Sequence, residues 1–235
     1  MSYLANPAKR EQRRGGFTLV EVMMVVAIIG ILAALSMVAY DSVGKRGALQ
    51  NAAFDMQGVM TTARARATSS GYPVWMVLYP KGRRGALGGG SGAFLVVEDV
   101  NSVYVPNPSR LFSLEFKVEK KPAAGTSYVS SLYYLDDYSK KVRFGALTPG
   151  RTDLFGAPFS GLTVQTCSFC SGTDAPSGAI GFFPDGTARF VDGSGRWITT
   201  TNQAMAFSSV DGRTQYLFAI SGPSGYMASF SPDKT

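Results

Sequence analysis

Residues 13–21 read Arg13-Arg14-Gly15-Gly16-Phe17-Thr18-Leu19-Val20-Glu21, and residues 22–40 continue as VMMVVAIIGILAALSMVAY. The second stretch holds no charged side chain. As a helix it would be about 28 Å long, close to the thickness of a bilayer's hydrocarbon core. Lys9, Arg10, Arg13 and Arg14 precede it against the single acid Glu11. A basic flank before an apolar segment predicts an amino terminus held in the cytoplasm with the rest of the chain exported. A cleaved secretory signal would place small-residue cleavage chemistry after the apolar run. Here the run leads instead into Tyr40, Asp41 and a further helical pattern. Glu21 stands at the edge of the segment, and an unpaired charge at a bilayer's centre costs about 2.5–3.5 kcal/mol on insertion scales. A cut between Gly16 and Phe17 would create an α-amino group four residues from that acid.

Gly16-Phe17-Thr18-Leu19-Val20-Glu21 followed by the apolar helix resembles the class III, or type IV prepilin, signal. That signal is carried by type IV pilins and by the pseudopilins of type II secretion. The resemblance implies cleavage between Gly16 and Phe17 by a prepilin peptidase and N-methylation of Phe17. It also implies that Glu21 neutralises the N-terminal amine of a neighbouring subunit during assembly. A signal-anchor helix that happens to begin GFTLVE is the plain alternative. Many major pilins place a proline roughly twenty-two residues into the mature chain, which removes one helix hydrogen bond. Val38 stands there in this sequence, which predicts a continuous helix and points away from the bulk filament subunit.

Composition narrows the function classes. The chain has 235 residues, 45% apolar and 17% charged, which excludes disorder or a coiled coil as a reading of the whole. It contains no histidine, so Ser-His and Cys-His nucleophiles and histidine metal ligands are excluded. No phosphate-binding loop, zinc-protease motif or nucleophile elbow occurs, and no pair of acids stands out. The expectation is a non-enzyme with no catalytic residue, no metal and no cofactor. Of the net charge of +7, +3 falls before Phe17 and +4 on the remainder. That excess permits contact with nucleic acid without demanding it.

Beyond Tyr40 the apolar residues become periodic. Leu49, Ala52, Ala53, Met56, Val59, Met60, Ala63 and Ala67 recur at three- and four-residue steps, the pattern of an amphipathic helix. Gly44 and Gly47 mark a place where the join would bend, and Gly71 with Pro73 predicts the end. Strands are expected at Val74–Tyr79, Phe94–Glu98, Leu111–Val118, Tyr128–Leu135, Ala179–Phe183, Ala188–Val191, Gln215–Ile220 and Tyr226–Phe230. No βαβ rhythm follows, so the sheet should be antiparallel. The expected class is α+β and pilin-like: a long N-terminal α-helix packed on an antiparallel β-sheet domain. The expected division is a leader over 1–16, a transmembrane and assembly helix over 17–40, its amphipathic continuation over 41–70 and a β-rich globular domain over 71–235.

Phe182-Phe183-Pro184-Asp185-Gly186-Thr187 between apolar runs reads as a hairpin turn. With the strands that follow it, this stretch resembles the closing part of the GspH/FimT group of minor pilins and pseudopilins. That likeness implies a minor pilin that primes or caps a type IV pilus, or alternatively a minor pseudopilin of type II secretion. Either role implies other pilins or pseudopilins, the prepilin peptidase, an inner-membrane assembly platform and the membrane as partners. The implied location is the inner membrane with a periplasmic domain, then the fibre.

Cys167-Ser168-Phe169-Cys170 supplies two soft ligands and lacks the setting of a redox motif. An exported location favours a short disulfide, with free thiols or a metal as the other readings. Lys81, Arg83 and Arg84, in Lys81-Gly82-Arg83-Arg84-Gly85, lead into a glycine-rich stretch over 88–92. They form either a solvated hairpin loop or a contact for DNA phosphates, as in a minor pilin of DNA uptake. No aromatic residue interleaves them for base stacking.

Overall fold

The computed structural model describes residues 16–118, 126–138, 140–147 and 155–231. The chain divides into two compact units, Met1–Ser42 and Val43–Thr235. One helix, α1 (Leu19–Ser70), supplies the described part of the first and the opening of the second. It contains no proline and continues through Gly44 and Gly47, where the sequence suggested a bend.

In the first unit the segment Leu19–Met37 is long and apolar enough to cross a membrane, and none of it is buried. Val22, Val25, Ile29 and Leu32 are each more than half exposed. A helix that is apolar all round has no wet face to turn to water, and is suited to lipid or to other helices.

In the second unit the same helix is amphipathic. Leu49, Ala52, Ala53, Met56, Met60, Ala63 and Ala67 are buried, as their spacing predicts. The helix stops at Gly71, whose φ of +76° is open to a residue without Cβ and whose amide bonds the Ala67 carbonyl at 3.2 Å. Nine strands follow among the described residues: β1 (Val74–Tyr79), β2 (Ala93–Glu98), β3 (Tyr128–Tyr134), β4 (Val142–Phe144), β5 (Gly178–Phe182), β6 (Ala188–Asp192), β7 (Asn202–Ser209), β8 (Gln215–Ser221) and β9 (Met227–Phe230). They form two antiparallel sheets rather than one, ordered β3-β2-β1-β5-β6 and β4-β7-β8-β9. The class is therefore α+β, a long N-terminal helix packed on antiparallel sheet.

The largest core lies where the helix meets both sheets. Met56 and Met60 join Met76, Phe94, Ile180 and Phe190 of the first sheet with Phe207 and Phe218 of the second. The opposite face of the first sheet, with Trp75, Val77, Leu95 and Val97, is covered by residues 103–116. The opposite face of the second, with Ala204, Ala206, Leu217 and Ala219, is covered by Phe155, Phe159 and Val164.

Leu111–Val118 is the strand expectation that the structure overturns. Its first residues belong to a 3-10 helix, Pro108–Ser113, and the rest pairs with no strand. The alternation is nevertheless real: Phe112, Leu114 and Phe116 pack inward while Ser113, Glu115 and Lys117 are exposed. β1 already lies between β2 and β5, and β2 between β1 and β3, so neither has an edge to offer. The segment lies over the sheet's face instead. Two strands carried no usable signal, β4 and β7.

Acidic side chains fasten these layers. Glu98 at the end of β2 is buried, accepts the phenol of Tyr72 at 2.7 Å and pairs with Arg66 of α1. Asp99 accepts the Trp75 indole N–H (3.2 Å), the amides of Val103 (2.8 Å) and Tyr104 (3.1 Å) and the Ser127 hydroxyl (2.8 Å). It thereby ties the covering segment to the first sheet. The expected hairpin is present: β5 and β6 pair across Pro184–Thr187, with Gly186 at φ +82°.

Candidate functional site: the amino-terminal junction

The first four amides of any helix lack partners within it. At the start of α1 two backbone amides, those of Thr18 and Glu21, are met by side chains. The Glu21 carboxylate accepts the Thr18 amide at 3.0 Å and the Thr18 hydroxyl at 3.0 Å. The Thr18 hydroxyl oxygen in turn accepts the Glu21 amide at 3.3 Å. This is a reciprocal capping box, with Thr18 as the cap and Glu21 three residues on. The spacing Thr18-x-x-Glu21 is visible in the sequence, but reading the acid only for an intersubunit role passes over it. Gly16 and Phe17 precede the helix, and Phe17 is 88% exposed. Both residues are exposed and lie outside the helix, so the bond between them is accessible. Glu21 is exposed as well, on the same apolar surface.

The other expected sites belong to the second unit. A disulfide joins Cys167 and Cys170, whose Cα atoms are 5.3 Å apart. It fixes a turn laid against β7, where Cys167 bridges to Met205 and the Ser168 amide bonds the Ala204 carbonyl at 2.8 Å. No group of three or more potential metal ligands occurs among the described residues.

The basic stretch is a folded loop. Gly90 and Gly92 donate their amides to the carbonyls of Lys81 (2.8 Å) and Gly82 (3.0 Å). Arg84 makes two hydrogen bonds to Asp137, at 2.8 and 2.9 Å, and lies 4.8 Å from the centre of the Tyr134 ring. The Lys81 ammonium donates to the Thr173 carbonyl at 3.0 Å. Of the three cations, Arg83 alone has an exposed side chain with no ion pair or side-chain hydrogen bond among the described residues. The structure thus brings Lys81, Arg83 and Arg84 into one loop while engaging two of them within the protein.

Comparison with known proteins bears on the junction alone. Residues 12–37 match the family model described as the prokaryotic N-terminal methylation motif. No curated protein and no solved structure matches the chain. Over its amino-terminal segment the chain therefore carries the signature of type IV pilin- and pseudopilin-like proteins.

Proposed function

We propose that this chain is a minor type IV pilin, a structural subunit that primes or caps a pilus. The observation that carries the reading is the junction itself, an accessible Gly16-Phe17 bond followed by Glu21 and an apolar helix with no wet face. In this reading residues 1–16 are a leader removed by a prepilin peptidase, and Phe17 becomes the methylated first residue. Residues 17–40 anchor the subunit in the inner membrane, with the later residues periplasmic, until an assembly platform moves it into the fibre. Residues 41–70 continue the helix onto the β-rich domain of 71–235.

The chemistry of incorporation is an exchange of partners. In the single chain the Glu21 carboxylate is satisfied by its own Thr18. In a bundle of like helices it turns to the amine of a neighbouring Phe17, a charge-assisted contact stronger than a neutral hydrogen bond. The uninterrupted helix through Val38, together with the Pro184–Thr187 hairpin, supports a minor rather than a bulk subunit.

The test is Glu21→Ala in the native host. Membrane insertion should persist while incorporation into fibres is lost, and the wild-type mature chain should begin at a methylated Phe17 by mass spectrometry. Normal incorporation of Glu21→Ala, or a native chain that begins at Met1, would overturn the reading. A minor pseudopilin of type II secretion rests on the same junction. Deletion separates the two roles: loss of surface pili supports the first and loss of protein secretion the second.

A further inference from the structure

The outer edge of the first sheet lacks one backbone pairing among the described residues. Along β6 the amides of Ala188 and Asp192 are held by the carbonyls of Gly222 (2.7 Å) and Arg196 (3.0 Å), and the Phe190 carbonyl accepts the Ile198 amide (2.9 Å). Alternate residues of a strand direct their backbone groups to the same side, so the Phe190 amide lies on this edge too. It has no hydrogen-bond partner among the described residues. From Ile198 the chain leaves β6 and is tied back at Thr201, whose carbonyl accepts the Gly222 amide. Between these ties lies a recess of about 500 Å³, with Trp197, Thr199, Thr200, Arg189 and Pro223 among its walls.

One wall is a fixed aromatic plate. Trp197 is 39% exposed. Its ring is nonetheless held 5.7 Å from that of Trp75 and 6.3 Å from that of Phe183. Arg189 lies 4.2 Å from the centre of the Phe183 ring and 3.4 Å from Asp185, so its charge is balanced where it stands. Thr199 and Thr200 also line the recess, the Thr200 hydroxyl accepting the Gln203 side-chain amide, and no carboxylate is among the described lining residues.

These features define an occupant. It needs one apolar face for the indole, hydroxyls or amides around its rim, no net charge, and an acceptor for the Phe190 N–H. An acyl chain would strand the hydroxyls and the amide, at a cost for each unpaired polar group. A nucleic-acid strand is held chiefly by cations free to pair with phosphate, and Arg189 is already paired. An acetamido sugar has a C–H face, a rim of hydroxyls and an amide carbonyl. We propose that the recess between β6 and residues 197–201 is a saccharide site, taking a neutral N-acetylhexosamine unit stacked on Trp197 with its acetamido carbonyl on the Phe190 amide. The proposal does not depend on the assembly reading.

The experiment uses the full chain in a polyoxyethylene detergent, whose head group contains no sugar. The N-acetylglucosamine trisaccharide is titrated and followed by ligand-observed NMR and by indole emission, with maltotriose and a single-stranded oligodeoxynucleotide in parallel. Trp197 is the exposed one of the two indoles, and the change in emission on binding should be absent from Trp197→Ala. Saturable binding of the N-acetylated sugar is expected, with affinity about tenfold weaker in Trp197→Ala, on the scale of one lost aromatic stacking contact. Thr199→Val alters an exposed side chain and should weaken binding with unchanged thermal stability; it decides the matter if Trp197→Ala unfolds. No saturable binding, binding unaffected by Thr199→Val and by any folded Trp197 variant, or binding of maltotriose or the oligonucleotide in place of the N-acetylated sugar would each overturn the assignment.

Discussion

The carboxylate of Glu21 stands 3.0 Å from both the amide and the hydroxyl of Thr18, so the acid to which the proposed function gives a part in fibre assembly is also the acid that begins its own helix. The two duties can be separated by substitution. Thr18→Ala removes the cap and leaves the acid, and should destabilise the first turn by about 1 kcal/mol. In micelles, exchange of the Glu21 amide, which bonds the Thr18 hydroxyl, should quicken severalfold while exchange in the β-rich unit is unchanged. Unaltered exchange at that amide would mean that the capping box is not formed in solution.

Arg66→Ala tests the tie between helix and first sheet. The buried Glu98 would lose its cation and keep the phenols of Tyr72 and Tyr128 beside it. Because Arg66 is itself half exposed, the expected loss is about 2 kcal/mol rather than the larger cost of breaking a fully enclosed pair. Replacing both groups, as Arg66→Met with Glu98→Leu, should recover much of it. Chemical denaturation of the three variants measures the difference.

Tyr79 offers a test that depends on pH. Its phenol is buried without a hydrogen-bond partner among the described residues, and burial pushes its pKa up to about 12. The unfolded chain releases this proton near pH 10 and the folded chain only near 12, so between those values the unfolded state binds fewer protons. Stability should therefore be complete below pH 10 and fall by roughly 2–3 kcal/mol by pH 12 on account of this residue. Tyr79→Phe should remove that part of the decline. It should also gain about 1 kcal/mol at neutral pH, because an unsatisfied buried hydroxyl is lost. A decline of equal size in both proteins would refute the assignment.

The bond between Cys167 and Cys170 predicts a simple mass result. Protein isolated without reductant should take up no alkylating agent, and after reduction it should take up two equivalents. The double variant Cys167→Ser with Cys170→Ser should lose about 2 kcal/mol, the small contribution expected of so short a loop.

Arg83→Ala and Arg84→Ala should differ. Arg84→Ala breaks the pair with Asp137 and should lower stability only slightly, as the loss of exposed pairs does. Arg83→Ala should be neutral for stability. Retention of duplex DNA should respond to neither. A loss of retention with Arg83→Ala that deepens as salt is lowered would restore the phosphate-contact reading.

How much of this was legible in the sequence follows from where each signal came from. The helix was plain because its period changes at Tyr40 from continuous to amphipathic and its end is marked by Gly71 and Pro73. The first sheet was also readable, since β1, β2 and β5 are runs of apolar residues buried throughout. β7 was not: NQAMAFSS mixes small and polar residues of weak strand preference, and only its place between β4 and β8 buries it. β4 has three residues, too few to show alternation. Leu111–Val118 alternates because it covers a sheet face, and a period of two reports a half-buried extended chain whether or not it is paired. The capping box at the junction was legible from spacing alone. The recess beside β6 was not, because it depends on where the chain departs from a strand edge.

Every side chain of the three apolar clusters lies at Ala48 or later. A shortened gene product starting at Val43 would thus retain the whole of what makes the β-rich unit cohere while leaving behind the greasy segment that calls for detergent. Crystallisation, calorimetry and screening of sugars could then proceed in plain buffer, and only questions about the junction would need the intact chain.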